Sequence, residues 1–217
     1  MLEILKQRRE ALAMRLKHSI LGALFVLAAL PAQAQTASEG TRTFIRGTVE
    51  KLDGQTLAVK SREGPELIIA LAPNFAVSGV AKRNLSDIKE GDYIASTSVK
   101  GTDGKLRAIE VHIFPEASRG TAEGQFPWDL VPDGIMTNAT VAGISTAPQG
   151  QVIKVTYKGS ESEIIVPSDI PIVIYVPGDA SLLKPGAAIF TVALKKPDGT
   201  LTSARVTAEK DGVKPPM

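Results

Sequence analysis

The sequence predicts an all-β protein in which one small β domain occurs twice. A unit at residues 86–94 and 103–111 returns at residues 181–189 and 198–206, and every matched pair lies 95 positions apart. Self-similarity at a fixed spacing indicates a duplicated structural unit. Around these units, short runs that alternate apolar with polar residues are separated by glycine, proline, aspartate and asparagine. That pattern is typical of strands joined by tight turns.

The repeat preserves turn residues and aliphatic residues rather than a set of catalytic side chains. Asp-Gly turns at 103–104 and 198–199 match one another. So do the pairs Ser86 and Ser181, Lys89 and Lys184, Gly91 and Gly186, Ile94 and Ile189, Leu106 and Leu201, and Val111 and Val206. The pattern therefore predicts architecture and says little about activity.

The first copy, residues 44–114, is predicted to contain a meander, a helical turn and a closing hairpin. Asp53 and Gly54 form a turn pair whose second residue accepts positive φ. Ser86 is expected to cap the helical turn, and Gly91 to end it with positive φ. Strands are predicted at residues 44–52, 56–60, 66–71, 75–80, 92–100 and 105–114.

The second copy, residues 139–209, keeps this order of elements. Five or six short strands with one helical turn per copy predict a tandem pair of small OB-like β-barrels, each closed so that no strand edge is exposed. The alternative is a single sandwich that uses the two copies as its two sheets. A disordered lead-in at residues 35–43, a linker at 115–138 and a polar tail at 210–217 complete the predicted organisation.

The first 34 residues have the layout of a Sec-type signal peptide. Residues 20–30 carry no charge, Arg15 and Lys17 precede them, and Ala34 closes an Ala-x-Ala cleavage site. The apolar run is about half of the ~20 residues that a bilayer crossing needs, so we expect no stable membrane span after cleavage. Met14 begins a short basic segment, and we hypothesise that it, rather than Met1, is the true start. The mature protein is therefore expected in the periplasm or outside the cell.

Charge and cysteine usage exclude several classes of function. The leader holds five of the 25 basic residues and two of the 23 acidic residues, so the mature chain has 20 against 21, a net charge of about −1. Nucleic-acid binding needs a clustered basic surface, and none is seen in the mature sequence. The chain has no cysteine, which excludes thiolate catalysis, iron–sulfur clusters and cysteine-based zinc sites.

The linker carries an unusual concentration of large apolar residues. It contains Phe126, Trp128, Asp129 and Asp133, and Trp128 is the single tryptophan of the chain. A linker that only spaced domains would be polar and flexible. One interpretation is that Trp128 packs between the domains and sets their angle. The other is that Trp128, with Phe126 and the acids Asp129 and Asp133, forms a partner or ligand site.

The first copy resembles a family of exported bacterial β domains of unknown function. The resemblance covers about 65 residues and rests on Gly47-x-Val49, Asp53-Gly54, the segment 85–92, Asp103-Gly104 and Ala108-x-x-Val111. The second copy departs from it, with Pro185 in place of Glu90 and Ala187 in place of Asp92. Because the shared residues belong to turns and core, the resemblance implies an OB-type barrel and no catalytic residues.

The sequence contains few candidates for chemistry. His112 is the single histidine after the leader. It shares one face of its predicted strand with Glu110, Leu106 and Ala108. His112 and Glu110 are weak metal-ligand candidates, and the simpler interpretation is a strand-end histidine that touches solvent. No serine triad motif, zinc motif or phosphate-binding loop is present. We therefore expect no enzymatic activity and no cofactor.

These observations predict an exported, non-enzymatic binding or structural protein of the bacterial cell envelope. Its partner would be an envelope protein, a glycan or a small ligand. The alternative is a metal or small-solute binding accessory of an envelope transport system, which would use His112 and nearby acids.

We predict that the exported protein begins at Gln35, because signal peptidase cleaves after the Ala-x-Ala sequence. N-terminal sequencing of the protein from a periplasmic fraction checks this. A sequence that begins at Met1 or Met14 in that fraction would contradict the assignment.

Overall fold

The computed structural model describes residues 40–148 and 150–217, so the predicted leader lies outside the described residues. These residues are all-β, with three single-turn 3₁₀ helices at Leu85–Asp87, Glu116–Ser118 and Ala180–Leu182. No helix in this part of the chain has the length and apolar character needed to cross a membrane. The twelve strands are β1 Thr41–Asp53, β2 Thr56–Ser61, β3 Glu66–Lys82, β4 Tyr93–Lys100, β5 Leu106–Ile113, β6 Gly124–Pro127, β7 Ile135–Ala147, β8 Gly150–Tyr157, β9 Ser160–Pro167, β10 Ile172–Pro177, β11 Ala188–Lys195 and β12 Leu201–Ala208.

Five strands, β1, β2, β3, β12 and β11, pair in a closed barrel that we call group 1. Neighbouring strands are antiparallel, except that β12 runs parallel to β3 and closes the circuit, with Leu201 beside Ile69. Ile45, Leu57 and Val59 belong to the hydrophobic core that fills it, together with Leu183 from the helical turn before β11. Closure removes the unpaired edges that an open sheet would present.

The strands β4, β5, β9, β8 and β7 form a second circuit of pairings, which we call group 2. Its parallel contact joins β5 to β9, with Leu106 beside Ile164. A separate hydrophobic core, which includes Ile94, Ile153 and Val155, belongs to this group. The described chain therefore has two cores.

The two groups exchange their closing hairpins, which differs from the prediction of one barrel in residues 44–114 and another in 139–209. The hairpin β4–β5 of the first copy pairs with β7 and β9 of the second, whereas β11–β12 pairs with β1 and β3 of the first. Both copies carry the same pattern of turn and aliphatic residues. The closing hairpin of one copy can therefore pair with the meander of the other and complete its hydrophobic core. The all-β class and a closed five-strand barrel are confirmed, and the assignment of strands to barrels is wrong.

The groups meet at an antiparallel pairing of equivalent segments. Val80 of β3 lies opposite Tyr175 of β10, and these residues are 95 positions apart. The flanking pairs Ser78–Pro177 and Lys82–Val173 are symmetric about this point. The parallel contacts also correspond, since Ile69 and Leu201 in group 1 match Ile164 and Leu106 in group 2. A pseudo-twofold axis therefore passes through the pair Val80–Tyr175.

Several local predictions are confirmed and others are corrected. Gly91 and Gly186 adopt φ of +87° and +88°, as expected for residues that leave a helical turn. Asn84, and not Ser86, begins the first helical turn, where its backbone N–H donates to Asp87. The strands predicted at residues 66–71 and 75–80 form one continuous strand, β3, whose pairing to β12 shifts after Leu71.

The ends of the predicted elements also move. β1 begins at Thr41, so residues 41–43 belong to a strand and not to a disordered lead-in. The predicted linker contains β6, which pairs antiparallel with β7. Residues 124–127 and 135–138 of the predicted linker are therefore part of the sheet.

We predict that Ile69→Ala and Ile164→Ala, at equivalent and fully buried positions, each lower the free energy of unfolding by about 2–5 kcal/mol. Because each core contains strands from both copies, both variants should shift one cooperative transition. Urea unfolding followed by circular dichroism checks this, with wild type as reference. Separate transitions for the two cores would contradict the shared architecture.

Candidate binding site

The metal-ligand candidates His112 and Glu110 lie in the interior. Their side chains are 0% and 1% exposed, and His112 Nε2 is 2.7 Å from Glu110 Oε2. The other carboxylate oxygen, Oε1, accepts hydrogen bonds from the backbone N–H and the hydroxyl of Thr97. The interpretation of His112 as a histidine that touches solvent is wrong.

A β-bulge explains why these polar residues face away from the core of group 2. Thr97 pairs with Glu110 and Ser98 pairs with Ala108, so Ile109 is the extra residue. One extra residue shifts the inward and outward alternation of the side chains, so that residues after the bulge face the opposite side from those expected. Leu106 and Ala108 before it, and Val111 and Ile113 after it, all reach the core, whereas Glu110 and His112 point outward and are covered.

The contact between His112 and Glu110 is close but poorly directed. No aligned hydrogen bond forms at either ring nitrogen of His112 or at Glu110 Oε2 among the described residues, although the two side chains approach to 2.7 Å. A metal at this place would need further donors. In residues 40–148 and 150–217, no group of three or more metal-ligating side chains is assembled.

The linker tryptophan packs on the outer face of group 1. The Trp128 ring centroid is 4.4 Å from that of Phe44 and 6.2 Å from that of Phe190, and Phe126 contacts its edge at 6.2 Å. Phe44 alternates with the core residue Ile45, so it points away from the core. Trp128 thus packs the linker against group 1 through aromatic contacts.

An ion pair secures the same contact. Arg46 Nη2 donates to Asp129 Oδ1 at 2.8 Å, with the Arg46 side chain 5% exposed and that of Asp129 52% exposed. The guanidinium carbon of Arg46 lies 5.6 Å from the Trp128 ring and 5.3 Å from the Phe190 ring. Cation–π contact adds to the ion pair here.

The four predicted binding residues are only partly brought together. Phe126, Trp128 and Asp129 join the cluster around Arg46. Asp133 is exposed and adopts φ of +56° in the turn before β7. Its position is explained by the turn, since aspartate tolerates this backbone conformation.

The described surface has a cleft of about 730 Å³ that we call the seam groove. It runs between the outer face of group 1, strand β10 and the start of the linker. Phe114, Tyr175, Phe190 and Val192 supply apolar lining, and Arg42 and Arg205 supply positive charge. The lining includes no aspartate or glutamate. The groove has the size and apolar character of small-molecule sites.

Tyr175 connects the groove with the buried pair. Its ring lies 5.4 Å from Phe114 and 5.2 Å from His112. Burial raises the pKa of the Tyr175 phenol, and the charge of Glu110 raises it further. The phenol therefore stays protonated at neutral pH, where it donates to the Met217 sulfur at 3.5 Å.

The pseudo-twofold axis relates the groove to the buried pair. At the 95-residue spacing, Arg205 matches Glu110 and Thr207 matches His112. The register agrees, because Val206 lies beside Val77 as Val111 lies beside Ile172. One face of the fold is therefore closed over a buried carboxylate, and its counterpart is an open groove with an exposed arginine.

Sequence reasoning missed the seam groove because its residues are distant along the chain. The alignment of the two copies carried a signal for part of it. Phe190 of the second copy aligns with Ala95 of the first, and Arg205 aligns with Glu110. These reversals of size and charge mark the positions at which the two outer faces differ.

A second cavity, of about 580 Å³, lies at one end of group 2. Lys100, Lys105 and Lys154 line it together with Glu161 and Glu163. Lys154 pairs with Glu161 at 2.8 Å. Since two glutamates line this cavity and one of them is paired with Lys154, it is less suited to an anion than the seam groove.

Comparisons with protein-family models, with curated proteins and with solved structures find no match for this chain.

We predict that Asp129→Asn lowers the free energy of unfolding by about 1–2 kcal/mol, because it leaves the buried Arg46 guanidinium without its counter-charge. The half-exposed position of Asp129 keeps the loss at this level. Thermal or urea unfolding measures the change. Asp133→Asn is the matched control in the same linker and should alter stability by less than about 0.5 kcal/mol. Equal effects from the two substitutions would contradict a specific role for the ion pair.

Proposed function

We propose that this chain is a non-enzymatic binding protein of the bacterial cell envelope and that the seam groove is its ligand site. The observation that carries the proposal is the groove itself, an apolar cleft of about 730 Å³ built jointly by both copies and the linker. Pockets of roughly 300–1,000 Å³ with apolar walls and a few polar groups are typical of ligand sites.

The groove is suited to binding because its walls are held in place. Tyr175 and Val176 belong to β10, which is hydrogen-bonded to β3 on one side and β5 on the other. Phe190 and Val192 belong to β11, which pairs with β1 and β12. Walls that are already ordered lose little conformational freedom when a ligand binds.

Binding is favoured over catalysis by the position of the titratable groups. His112 is buried and in contact with Glu110, so it is not available as a general base to a ligand in the groove. The lining offers aromatic rings, aliphatic side chains, hydroxyls and two guanidiniums. Such groups hold a ligand, and no nucleophile–base pair stands among them.

The place of action and the family are part of the same proposal. The signal-peptide layout of residues 1–34 supports export. The resemblance in the first copy supports the family of exported bacterial β domains, with each strand group an OB-type barrel completed by the hairpin of the other copy. OB-type barrels serve as binding folds for several classes of ligand.

We predict that the neutral fluorophore N-phenyl-1-naphthylamine binds the protein and that Ala204→Trp weakens this binding at least about tenfold. Ala204 is exposed on β12 and lines the groove, so an indole there fills space without disturbing the core. Fluorescence titration measures the affinity, and circular dichroism checks the fold.

Ala142→Trp provides the matched control, because Ala142 is an exposed alanine of β7 outside the groove. Its affinity for the fluorophore should equal that of wild type. If the fluorophore does not bind, or if both tryptophan variants bind it as wild type does, the seam groove is not the ligand site.

A further inference from the structure

We infer that the ligand of the seam groove is an anion with a flat apolar body, whose acidic group is held by Arg42 and Arg205. This inference rests on the proposed function and adds the chemical class of the ligand. It follows from the charge of the groove, the geometry of the two arginines and the difference between the two outer faces.

The charge of the groove is positive without internal compensation. Arg42 and Arg205 line it and no acidic residue does. Neither arginine forms an ion pair within residues 40–148 and 150–217, whereas nearby Arg46 is paired with Asp129. The mature chain as a whole is close to neutral, so the positive charge here is local. A local positive potential in a cleft with low-dielectric walls attracts anions.

Arg42 and Arg205 line the same groove from two strands of group 1. Arg42 lies on β1 and Arg205 on β12, with β11 between them. Two strand spacings separate their backbones by roughly 10 Å across the sheet. Arg42 is also offset along the strands, because its neighbour Leu194 pairs with Thr202, three residues from Arg205. Arginine side chains are long enough to converge over that distance, and their planar guanidiniums bind carboxylate, phosphate or sulfonate groups with paired hydrogen bonds. Between them, Val192 of β11 supplies an apolar floor.

The aromatic lining selects the body of the ligand. Phe114 and Tyr175 form a tilted pair 5.4 Å apart at the β10 side of the groove. Phe190 lies on the opposite side, where Arg46 and Trp128 support its ring. Aromatic side chains favour stacked or edge contacts with flat apolar groups. The groove therefore suits an aromatic or similarly flat acid rather than a hydrated inorganic anion.

The other outer face explains why one site is expected and not two. In group 2, the position that corresponds to Arg205 is held by Glu110, which is 1% exposed and already bound by Thr97 and His112. That face contains its own carboxylate and is closed. On the matching face of group 1, the groove is lined by the arginine and by no carboxylate, and an external acid would supply the missing partner.

The test compares two probes that differ by one charged group. N-Phenyl-1-naphthylamine is neutral, and 1-anilinonaphthalene-8-sulfonate carries the same rings with a sulfonate. We expect the sulfonate to bind wild-type protein about tenfold more tightly than the neutral probe, because one charge-assisted contact contributes a factor of that size. Arg42→Gln and Arg205→Gln should each remove most of this preference, measured as the ratio of the two probe affinities in the same variant.

Arg83→Gln is the matched control, because it removes the same charge from a half-buried position outside the groove. It should leave the preference intact. Raising sodium chloride from about 0.05 M to 0.5 M should weaken binding of the sulfonate alone, because salt screens the guanidiniums.

The possible failures are distinguishable. Equal affinities for the two probes, or a preference that survives both arginine substitutions, would overturn the anionic-ligand inference and leave the groove as a site for neutral ligands. If neither probe binds, the proposed function itself fails.

Discussion

The parallel contacts that close the two strand groups are the interaction on which the rest of the structure depends. Leu201 beside Ile69 and Leu106 beside Ile164 join each meander to the closing hairpin of the other copy. Each hydrophobic core is therefore complete only when both copies are present. Hydrophobic burial is the dominant favourable term in folding. The exchange of hairpins thus makes a duplicated sequence into one cooperative unit rather than two independent domains.

The exchange also creates the surface on which function is proposed. Equivalent segments of β3 and β10 pair at the pseudo-twofold axis, which places the outer faces of both groups beside one another. A perfect duplication would give two equal faces there. The side chains have diverged instead, so that Glu110 and His112 close one face while Arg205 and Thr207 leave the other open. The proposed site depends on this departure from symmetry.

The linker packs on group 1 and supports one wall of the proposed site. Trp128 packs on Phe44, and Asp129 neutralises Arg46. Arg46 in turn lies against Phe190, which also lines the seam groove. A buried guanidinium without a counter-charge is costly, so Asp129 helps to hold the aromatic cluster beside the groove. The acid Asp133, six residues from Pro127 along the same segment, serves the turn before β7 and takes no part in the cluster.

The sequence by itself determined the all-β class, the duplication, the Asp-Gly turns and the aliphatic core. Ile94, Leu106 and Val111 are buried, as are their counterparts Ile189, Leu201 and Val206. These features follow from local backbone preferences and the two-residue period of a strand, which act over a few residues. Only the tertiary structure decided which hairpin completes which meander, where the bulge at Ile109 turns Glu110 outward, and which distant residues line the seam groove. Local patterns in the two copies are nearly the same, so the choice between equivalent partners depends on the packing of the whole chain.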